Sequence, residues 1–581
     1  MSTPKGIRYI PAIDGLRAIA VIAVLLYHLG FSWIPGGFLG VDLFFVISGY
    51  VITRLLLDSI ARSGGLDLRG FYAGRIRRLL PPLLFMLIIT AIFIGVWAPD
   101  SMKRFLIDTP FAITGLMNWW LVFKQQDYFE SFGRPPLLQH TWSLGVEAQY
   151  YLFWPLILLF VLKFFGKKVI PTAALAIATF SGIALFLASL RADISGNQDI
   201  SHVYFGTDTH SIGLFLGSAL AVSWIPQNLR VNIEKRAQDF IDFVGVFGLI
   251  GLLAAFLFIN EADPTSYRIA FPLVGILGSA IILSVVHPAS RFAPLLQHPI
   301  MVWIGERSYA IYLWHWIVFQ VTRPAQDLSG STWALYLFRI LVVLALADIS
   351  QRWIEIPFRN GVISSWFRGM KYRTKEVQRR QKATIFLVIA TLFTSIGIIS
   401  SNAIAIADKN QEVVRKMFQE DQVATQSKIP GLWVVGDSVI LGIRSVLDEK
   451  QHIGLINARV GRQAPELLEI LKRDKAKMAG STTIINLGNN NRLLSAEINE
   501  IFSLLSDQPL VIVVNTAVPR DWRDENNLMI ASEAVNFPNI KIVDWAQKSE
   551  NHPEYFAPDG VHLIPSGIAA YVAAIESYLQ P

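Results

Sequence analysis

Two short motifs near the C-terminal end contain the groups that nucleophilic catalysis requires. Ser438 stands in Gly-Asp-Ser-Val directly after an apolar run, and His562 closes an Asp-Gly-Val-His motif that begins at Asp559. A serine hydroxyl becomes a good nucleophile when a base takes its proton, and an acid has to orient that base. The pattern predicts Ser438 as nucleophile, His562 as base and Asp559 as the orienting acid. Each motif alone is also typical of an ordinary turn.

Two further residues of this region are suited to stabilise a negatively charged tetrahedral oxygen. Gly461 and Asn490 stand in loops that follow other segments of the same region. A backbone N–H beside a glycine and a side-chain amide are suitable donors to such an oxyanion. We therefore predict Gly461 and Asn490 as oxyanion donors. The neighbouring Asn489 is a competing candidate for the second position.

Ionisable residues also stand within the apolar N-terminal part of the chain. The first apolar run contains Asp14 and Arg17 and, further along, His28. From Asp14 to His28 a helix rises roughly 21 Å at about 1.5 Å per residue. Ionisable groups inside a membrane span are costly and usually face a cavity or a partner, which favours a functional role for His28. A satisfied structural histidine at the outer interface is the alternative.

Three charged residues near other apolar runs are also candidates. Arg75 and Arg78 are one helical turn apart just before the third run, and Glu147 stands at the outer start of a later one. Forked guanidinium groups match phosphate oxygens, so the arginines predict a phosphate site at the cytoplasmic face, with ordinary positive charge there as the alternative. Glu147 is predicted to be level with His28, where a His–Glu pair would tune a general base. A solvent-facing cap is the alternative for Glu147.

The composition is that of a membrane protein with a second, more polar part. Of 581 residues, 53% are hydrophobic and 16% are charged, which is too apolar for a soluble protein and too long for one domain. The chain has no cysteine, so disulfides, a thiol carrier on the protein and a cysteine-ligated zinc are excluded. We predict no metal site. The net charge of +7 lies in short loops between apolar runs, which does not favour nucleic-acid binding.

Eleven apolar segments are candidates to cross a lipid bilayer, which needs roughly 20 residues per helix. They lie near residues 10–30, 38–58, 79–98, 143–164, 170–191, 207–225, 240–260, 268–287, 302–322, 332–352 and 384–405. Basic residues concentrate after even-numbered segments, so these loops and the N-terminus are predicted to be cytoplasmic. The first run is predicted to be a retained helix, because its ionisable residues do not suit a signal peptide. Segment 108–123 is short and is predicted to be a re-entrant or surface helix.

The remainder of the chain predicts an extracytoplasmic α/β domain. From Gly431 onward, short apolar runs (LWVVGDS, TTIINLG, LVIVVNT and IKIVDW) alternate with helical patterns, as in parallel α/β sheets. Ser438 then lies at the C-terminal end of a strand, where open α/β sheets place their sites. The predicted order is a membrane domain (1–360), a basic cytoplasmic loop (361–383), a linking transmembrane helix (384–405), a linker (406–430) and the α/β domain (431–581).

Residues 431–579 resemble the SGNH hydrolase family, whose four blocks are a GDS serine, a glycine, a G-x-N asparagine and a D-x-x-H pair. In this chain the blocks fall on Ser438, Gly461, Asn490, and Asp559 with His562. The resemblance implies a three-layer α/β domain with a serine nucleophile, two oxyanion donors and an acid–base pair. Within Gly-Asn-Asn-Asn, Asn490 keeps the block spacing and Asn489 does not. V-G-R-Q and V-N-T-A-V-P-R-D-W further resemble the extracytoplasmic domain of peptidoglycan O-acetyltransferases.

Residues 1–360 resemble the membrane acyltransferase-3 family. The matching motifs are D-G-L-R-A with the later histidine, G-V-D-L-F-F-V-I-S-G-Y (40–50), R-I-R-R-L-L-P (75–81), W-S-L-G-V-E (142–147) and S-Y-A-I-Y-L-W-H (308–315). The resemblance implies ten spans, acetyl-CoA as cytoplasmic donor, His28 as an essential base, and Arg75 and Arg78 at the donor. His210 departs from the pattern, because many members carry arginine there, and its role is left open. With the linking helix, the predicted fold class is a multi-pass α-helical membrane domain of ten spans plus one, followed by an extracytoplasmic SGNH-type domain.

These features predict the first stage of a two-stage O-acetyltransferase. Acetyl-CoA is expected to bind from the cytoplasm, with Arg75, Arg78 and Arg17 holding its phosphates. His28, assisted by Glu147, is expected to act on the thioester so that the acetyl group passes toward the outer face. Acetyl-CoA is a substrate in this account, and no permanently bound cofactor is predicted.

In the second predicted stage Ser438 accepts the acetyl group and delivers it to a sugar hydroxyl of a cell-envelope polysaccharide. The resemblance implies muramic acid of peptidoglycan as the acceptor. One alternative is an extracytoplasmic carbohydrate esterase that removes acetyl groups, since hydrolysis and transfer use the same acyl-enzyme. Acylation of another surface glycan is a second alternative. A transporter of lipid-linked sugars with an accessory domain is a third, but the chain shows no internal repeat of the transporter type.

Overall fold

The computed structural model describes residues 9–31, 33–124, 135–195, 201–260, 267–323, 332–419, 431–451, 453–459, 461–520, 522–557 and 560–579. The chain divides into two compact units. The first is helical and ends at Ser400, and the second contains Ser401–Pro581 together with two short stretches from earlier in the chain.

The described helices that precede the β-sheet have the following bounds. They are α1 (Pro11–His28), α2 (Gly40–Ser63), α3 (Leu68–Trp97), α4 (Met102–Thr114), α5 (Met117–Phe123), α6 (Trp142–Phe164), α7 (Ile170–Ser195), α8 (Ser201–Phe205), α9 (Thr207–His210), α10 (Ile212–Ser223), α11 (Lys235–Phe258), α12 (Tyr267–Val285), α13 (Ala293–Leu296), α14 (Pro299–Glu306), α15 (Ser308–Val321), α16 (Thr332–Ile349), α17 (Ile356–Arg359), α18 (Val362–Met370) and α19 (Lys375–Gln419). A π-helical stretch, Ser350–Glu355, joins α16 to α17.

Many of these helices are long and apolar enough to cross a membrane, so the chain is a multi-pass membrane protein. Nine such stretches occur among the described residues: Pro11–His28, Gly37–Ser63, Leu68–Trp97, Gln139–Phe164, Lys167–Arg191, Lys235–Phe258, Tyr267–Val285, Trp333–Arg359 and Lys375–Asp408. They coincide with nine of the predicted segments. In the other two, near 207–225 and 302–322, the helix is interrupted at Ser211 and Arg307, which leaves α10 with 12 residues and α15 with 14. The number of crossings therefore stays a prediction.

Two other predicted segments can be compared with the helix bounds. Residues 108–123 form the end of α4 and the short helix α5, neither of which reaches the length of a membrane span. The helix over the predicted linking span 384–405 begins at Lys375 and continues to Gln419, so it includes part of the predicted linker. The domain boundaries themselves stay predictions.

Glycines bring the helices that carry the predicted membrane site into close contact. A Cβ atom on Gly15 of α1 would lie 1.8 Å from the carbonyl oxygen of Leu296. A Cβ atom on Gly49 of α2 would lie 1.9 Å from the carbonyl oxygen of Leu214 in α10. Neither position can hold a larger residue unless the backbones move apart. Such small-residue contacts are typical of helix packing in lipid, where the hydrophobic effect does not drive helices together.

The second unit contains a five-stranded parallel sheet with the strand order β2-β1-β3-β4-β5. The strands are β1 (Leu432–Gly436), β2 (Ile453–Ala458), β3 (Thr483–Asn486), β4 (Val511–Val514) and β5 (Ile540–Val543). The helices around them are α20 (Ser438–Lys450), α21 (Ala464–Asp474), α22 (Ser495–Leu504), α23 (Arg523–Ala534), α24 (Trp545–Lys548) and α25 (Pro565–Leu579).

Apolar side chains pack on both faces of this sheet. Val434 of β1 belongs to a buried cluster with Ile440 of α20 and Val572 of α25. Its neighbour Val435 points to the other face and belongs to a cluster with Leu467 of α21 and residues of α22 and α23. Alternation of side chains along a strand produces this division, and helices cover both faces. The predicted three-layer α/β arrangement is confirmed, whereas the extracytoplasmic location of this unit stays a prediction.

Candidate functional site

Ser438 lies where the chain passes from β1 into α20. It is the first residue of the helix, and the preceding Asp437 caps that helix by accepting a hydrogen bond from the backbone N–H of Val439 at 2.9 Å. Only 2% of Ser438 is exposed. The strand-to-helix turn places the hydroxyl at the carboxyl edge of a parallel sheet, which is where such sheets hold their reactive groups.

His562 lies at the same edge, in the loop before α25. The backbone N–H of Ala557 donates to the carbonyl oxygen of His562 at 2.7 Å, which closes this loop. Only 3% of His562 is exposed, and its imidazole interacts electrostatically with the carboxyl group of Asp437, the residue before Ser438. The predicted base and the predicted nucleophile are therefore brought to one site. Asp559 lies outside the described residues, so its role stays a prediction.

Asp437 connects the loops around Ser438, and the sequence analysis assigned it no role. Its carboxylate accepts hydrogen bonds from the side-chain amides of Asn489 at 2.8 Å and Asn490 at 2.9 Å. Burial raises the pKa of Asp437, and the hydrogen bonds from Val439 and the two asparagines oppose that rise. A buried acceptor with three donors fixes the neighbouring loops, because each lost bond would leave a polar group unsatisfied.

The two neighbouring asparagines have different surroundings. Asn489 is 4% exposed, donates to Asp437 and accepts from the hydroxyl of Thr516 on the loop after β4. Asn490 is more exposed, and its Nδ2 donates both to Asp437 and to the carbonyl oxygen of Arg462 at 2.9 Å. Asn490 therefore borders the open side of the site. Because both of its amide hydrogens are in use, an oxyanion would have to replace one of these two bonds.

Gly461 and Arg462 form the loop after β2, at the other side of Ser438. Gly461 has φ of +75°, a left-handed conformation that side chains disfavour. The buried guanidinium group of Arg462 donates to the carbonyl oxygen of Gly436 at 2.9 Å and to Oδ1 of Asn457 at 2.8 Å. Burial lowers the pKa of Arg462. Arg462 thus connects the loop that contains Gly461 to the end of β1 just before Ser438, a role that the sequence analysis missed.

A cavity in the helical unit brings four predicted residues together. Its volume is about 740 Å³ including its open mouth, and its lining includes Arg17, Arg75, Arg78 and Glu147. The hydroxyl-bearing residues Ser48, Tyr151, Tyr309 and Tyr312 also line it. Three guanidinium groups and one carboxylate thus line this cavity. Such a cavity is suited to bind phosphate groups, because guanidinium forks match phosphate oxygens.

Carboxylates near the cavity hold two of these arginines. Arg17 donates to Asp14 at 2.7 Å within α1. Nε of Arg78 lies 3.8 Å from Oε1 of Glu355, a residue of the π-helical stretch that is only 2% exposed. The sequence did not predict Glu355 as a site residue, because an acid near the end of an apolar run gives no indication of which helix it faces. The guanidinium of Arg75 lies over the ring of Phe71 at 6.0 Å.

Glu147 is bound by hydroxyl groups, and the predicted pair with His28 is wrong. Its two oxygens accept from Ser48 of α2 at 2.6 Å and from Tyr151 of α6 at 2.9 Å. Neither carboxylate oxygen bonds to His28, which has a different partner. Equal depth in a membrane does not determine the direction in which two side chains point, and Glu147 points into the arginine-lined cavity.

The partner of His28 is a second histidine. Nδ1 of His28 lies 3.0 Å from Nε2 of His315 in α15, and Nδ1 of His315 lies 2.7 Å from the carbonyl oxygen of Tyr312. The ring of His140 is 5.8 Å from that of His315. His315 ends the motif S-Y-A-I-Y-L-W-H, which was the signal for it, but the sequence analysis gave it no role. Within the described part of the chain, no group of three or more His, Asp and Glu residues is placed to hold a metal ion.

His210 packs between helices and does not line the arginine cavity. Its Nε2 lies 3.0 Å from Oδ1 of Asp42 in α2, and its Nδ1 lies 2.6 Å from the carbonyl oxygen of Tyr204. The imidazole also stacks on Phe271 of α12 with 3.8 Å between ring centres. His210, whose role the sequence left open, therefore forms a buried connection between α2, α8 and α12.

The sequence is similar to known acyltransferases over nearly its whole length. A family profile described as an acyltransferase domain, of the acyltransferase-3 type, matches residues 10–352. The chain is 32% identical to the peptidoglycan O-acetyltransferase OatA of Listeria monocytogenes, covering 99% of this chain and 98% of that protein. It is 34% identical to the O-acetyltransferase OatA of Staphylococcus aureus, covering 99% of this chain and 96% of that protein.

A solved structure is also similar to the C-terminal part. It is the C-terminal catalytic domain of the peptidoglycan O-acetyltransferase OatA of Streptococcus pneumoniae with a methylsulfonyl adduct. The sequence identity is 25%, the match covers 26% of this chain and 92% of that chain, and the TM-score is 0.24.

Proposed function

Since the chain belongs to the acyltransferase-3 family and is an O-acetyltransferase, we propose that it transfers acetyl groups from cytoplasmic acetyl-CoA to hydroxyl groups of peptidoglycan. One observation carries this proposal. A single chain contains both an arginine-lined cavity among its helices and a serine at a strand-to-helix turn in an α/β unit. Relatives named for the O-acetylation of peptidoglycan match both parts. An enzyme that acted only on the cytoplasmic side would not need the serine site in the α/β unit.

The arginine-lined cavity is the proposed donor site. Arg17, Arg75 and Arg78 would hold the phosphates of acetyl-CoA, since charge-assisted bonds from guanidinium groups are among the strong hydrogen bonds. The uncharged hydroxyl groups of Tyr309 and Tyr312 on the same lining are compatible with the neutral remainder of the donor. His28 is the proposed base of this first transfer.

The second stage uses the site at the edge of the sheet. Oγ of Ser438 attacks the acetyl carbonyl carbon while His562 takes the hydroxyl proton, and the donor leaves with that proton. A sugar hydroxyl then attacks the acetyl-serine, and His562 again takes the proton and returns it to Oγ of Ser438. The backbone N–H of Gly461 and the amide of Asn490 would stabilise the tetrahedral oxygen in both steps.

The proposed orientation follows from the distribution of charge. Basic residues in the loops after α2, after α10 and after α17 would lie in the cytoplasm, together with the N-terminus. The donor cavity includes Arg75 and Arg78, which lie near the start of α3 on that same side. An odd number of crossings would then place the α/β unit outside, where peptidoglycan is found.

Reconstituted vesicles test both stages together. Radiolabelled acetyl-CoA is supplied on the side of the basic loops, and soluble peptidoglycan fragments are supplied on the side of the α/β unit. The proposal predicts base-labile label on the glycan with the wild type and none with Ser438→Ala. Label recovered only as free acetate would favour an esterase, and label on the glycan with Ser438→Ala would overturn the acyl-serine stage.

A further inference from the structure

Three imidazoles from distant parts of the chain meet in the helical unit. His28 ends α1, His140 lies in the turn before α6, and His315 lies within α15. His315 is fully buried and His140 is 3% exposed, whereas His28 is partly exposed. The hydrogen-bond partners of His315 and His28 determine which ring nitrogen of each bears the proton.

The backbone fixes the tautomer of His315. Its Nδ1 lies 2.7 Å from the carbonyl oxygen of Tyr312, which can only accept, so Nδ1 of His315 bears the proton. No carboxylate bonds to either His28 or His315 in the described structure, and an unpaired charge buried there would be costly, so His315 is neutral. Its Nε2 is then a hydrogen-bond acceptor.

This acceptor determines the proton position on His28. Nδ1 of His28 lies 3.0 Å from Nε2 of His315, so Nδ1 of His28 has to be the donor. The other ring nitrogen of a neutral imidazole has no proton. Nε2 of His28 is therefore the basic nitrogen, on the only one of the three rings that is partly exposed.

We propose that His315 is a positioning residue that holds His28 in the Nδ1–H tautomer and thereby presents Nε2 as the base for the first acyl transfer. This inference rests on the proposed function of His28. In that step an acceptor hydroxyl attacks the thioester carbon of acetyl-CoA and loses its proton to Nε2 of His28. The carbon–sulfur bond breaks, and the proton passes to the CoA sulfur. The bond from Nδ1 of His28 to His315 strengthens when His28 becomes positively charged.

Tyr312 connects the hydrogen-bonded pair of His28 and His315 to the donor cavity. Its carbonyl oxygen accepts from His315, while its hydroxyl group donates to the carbonyl oxygen of His140 at 2.8 Å and lies 2.7 Å from the hydroxyl of Ser143. Tyr312 and Ser143 both line the arginine cavity. Tyr312 therefore lines the proposed donor site and also accepts the hydrogen bond that fixes the tautomer of His315.

Two polar substitutions of similar size separate positioning from packing. His315→Gln can place an amide oxygen near the position of Nε2 and accept from His28, but it loses the bond to Tyr312. His315→Asn can keep a donor to Tyr312, but it is too short to reach His28. Both are measured in the full-length protein by release of CoA thiol from acetyl-CoA. The chain has no cysteine, so CoA is the only thiol present.

The inference predicts that His315→Asn lowers kcat about 100-fold with KM for acetyl-CoA unchanged, since general bases contribute about 10²- to 10⁴-fold. His315→Gln should recover at least about tenfold of that loss. His298→Gln, an exposed site before α14, is the matched control and should behave as wild type. Equal kcat in the Asn and Gln variants, or Asn activity like wild type, would overturn the inference. Thiol release that survives His28→Ala would instead overturn the proposed role of His28.

Discussion

Replacing Asn490 and Asn489 in turn tests which of the two amides stabilises the oxyanion. Asn490→Ala removes the amide at the open side of the serine site, and loss of one oxyanion donor typically lowers kcat by about 10²- to 10³-fold, or roughly 3–4 kcal/mol. Asn489→Ala removes a buried side chain that donates to Asp437 and accepts from Thr516. At about 1.5 kcal/mol for each of these bonds, the second change should cost roughly 3 kcal/mol of stability.

The two effects are separated by measuring turnover and stability on the same full-length preparations. Hydrolysis of a soluble acetyl ester reports kcat at the serine, and the temperature at which the α/β unit becomes sensitive to protease reports its stability. We expect Asn490→Ala to have a low kcat and a smaller fall in onset temperature than Asn489→Ala, because Asn490 is the more exposed of the two and water can replace its hydrogen bonds to Asp437 and Arg462. We expect Asn489→Ala to lose protease resistance at a lower temperature while keeping most of its turnover.

One pattern of results would refute this reasoning. If Asn490→Ala retains kcat within about threefold of wild type, the amide that borders the site does not stabilise the transition state. If at the same time Asn489→Ala loses turnover without loss of stability, the two roles are reversed.

The remaining predictions concern arginines at the two sites. Arg462→Met should destabilise the α/β unit by about 3 kcal/mol, because it leaves buried carbonyl groups without a donor. The matched control is Arg459→Met, which should change protease resistance little because the side chain of Arg459 is 61% exposed. Equal effects of the two substitutions would contradict the role given to Arg462. Arg75→Gln and Arg78→Gln should each raise KM for acetyl-CoA about 10- to 100-fold with little change in kcat, since each removes a charge-assisted bond of about 1.5–3 kcal/mol. Thiol-release kinetics would check both values, and an unchanged KM would remove the cavity as the donor site.

The sheet was predictable from sequence except for one strand. The runs at Trp433, Ile484 and Ile512 are continuous apolar stretches, which is typical of strands buried on both faces. The run at Ile542 contains the exposed Lys541 and forms the edge strand β5. β2 was missed because Gly454 interrupts its apolar pattern. The glycine is required there, since a Cβ atom would lie 2.8 Å from the backbone nitrogen of Gly431.

The residues of the membrane site were predictable, but their pairing was not. Residue type and spacing indicated His28, Arg75 and Arg78, because ionisable groups in or beside a membrane span stand out against an apolar background. The direction of a side chain around its helix depends on packing with distant helices. For that reason the sequence placed Glu147 beside His28, whereas the structure pairs His28 with His315, 287 residues further along the chain.

Hydropathy also could not predict that the helices are interrupted at Ser211 and Arg307. Both lie within apolar runs that have the length of a span, and hydropathy does not report backbone geometry. At Arg307 the guanidinium group donates to the carbonyl oxygen of Trp303 at 3.1 Å and to Asp348 at 2.9 Å. These bonds come from tertiary packing, which decides where one helix ends and the next begins.

The most direct test of the central claim is the amount of ester-linked acetate on purified cell-wall glycan, released by mild base. It is compared in cells without this protein and in the same cells supplied with the wild type, His28→Ala or Ser438→Ala. The account predicts that acetate is lost on deletion, restored by the wild type, and restored by neither variant. Unchanged acetate on deletion, or full restoration by Ser438→Ala, would contradict it.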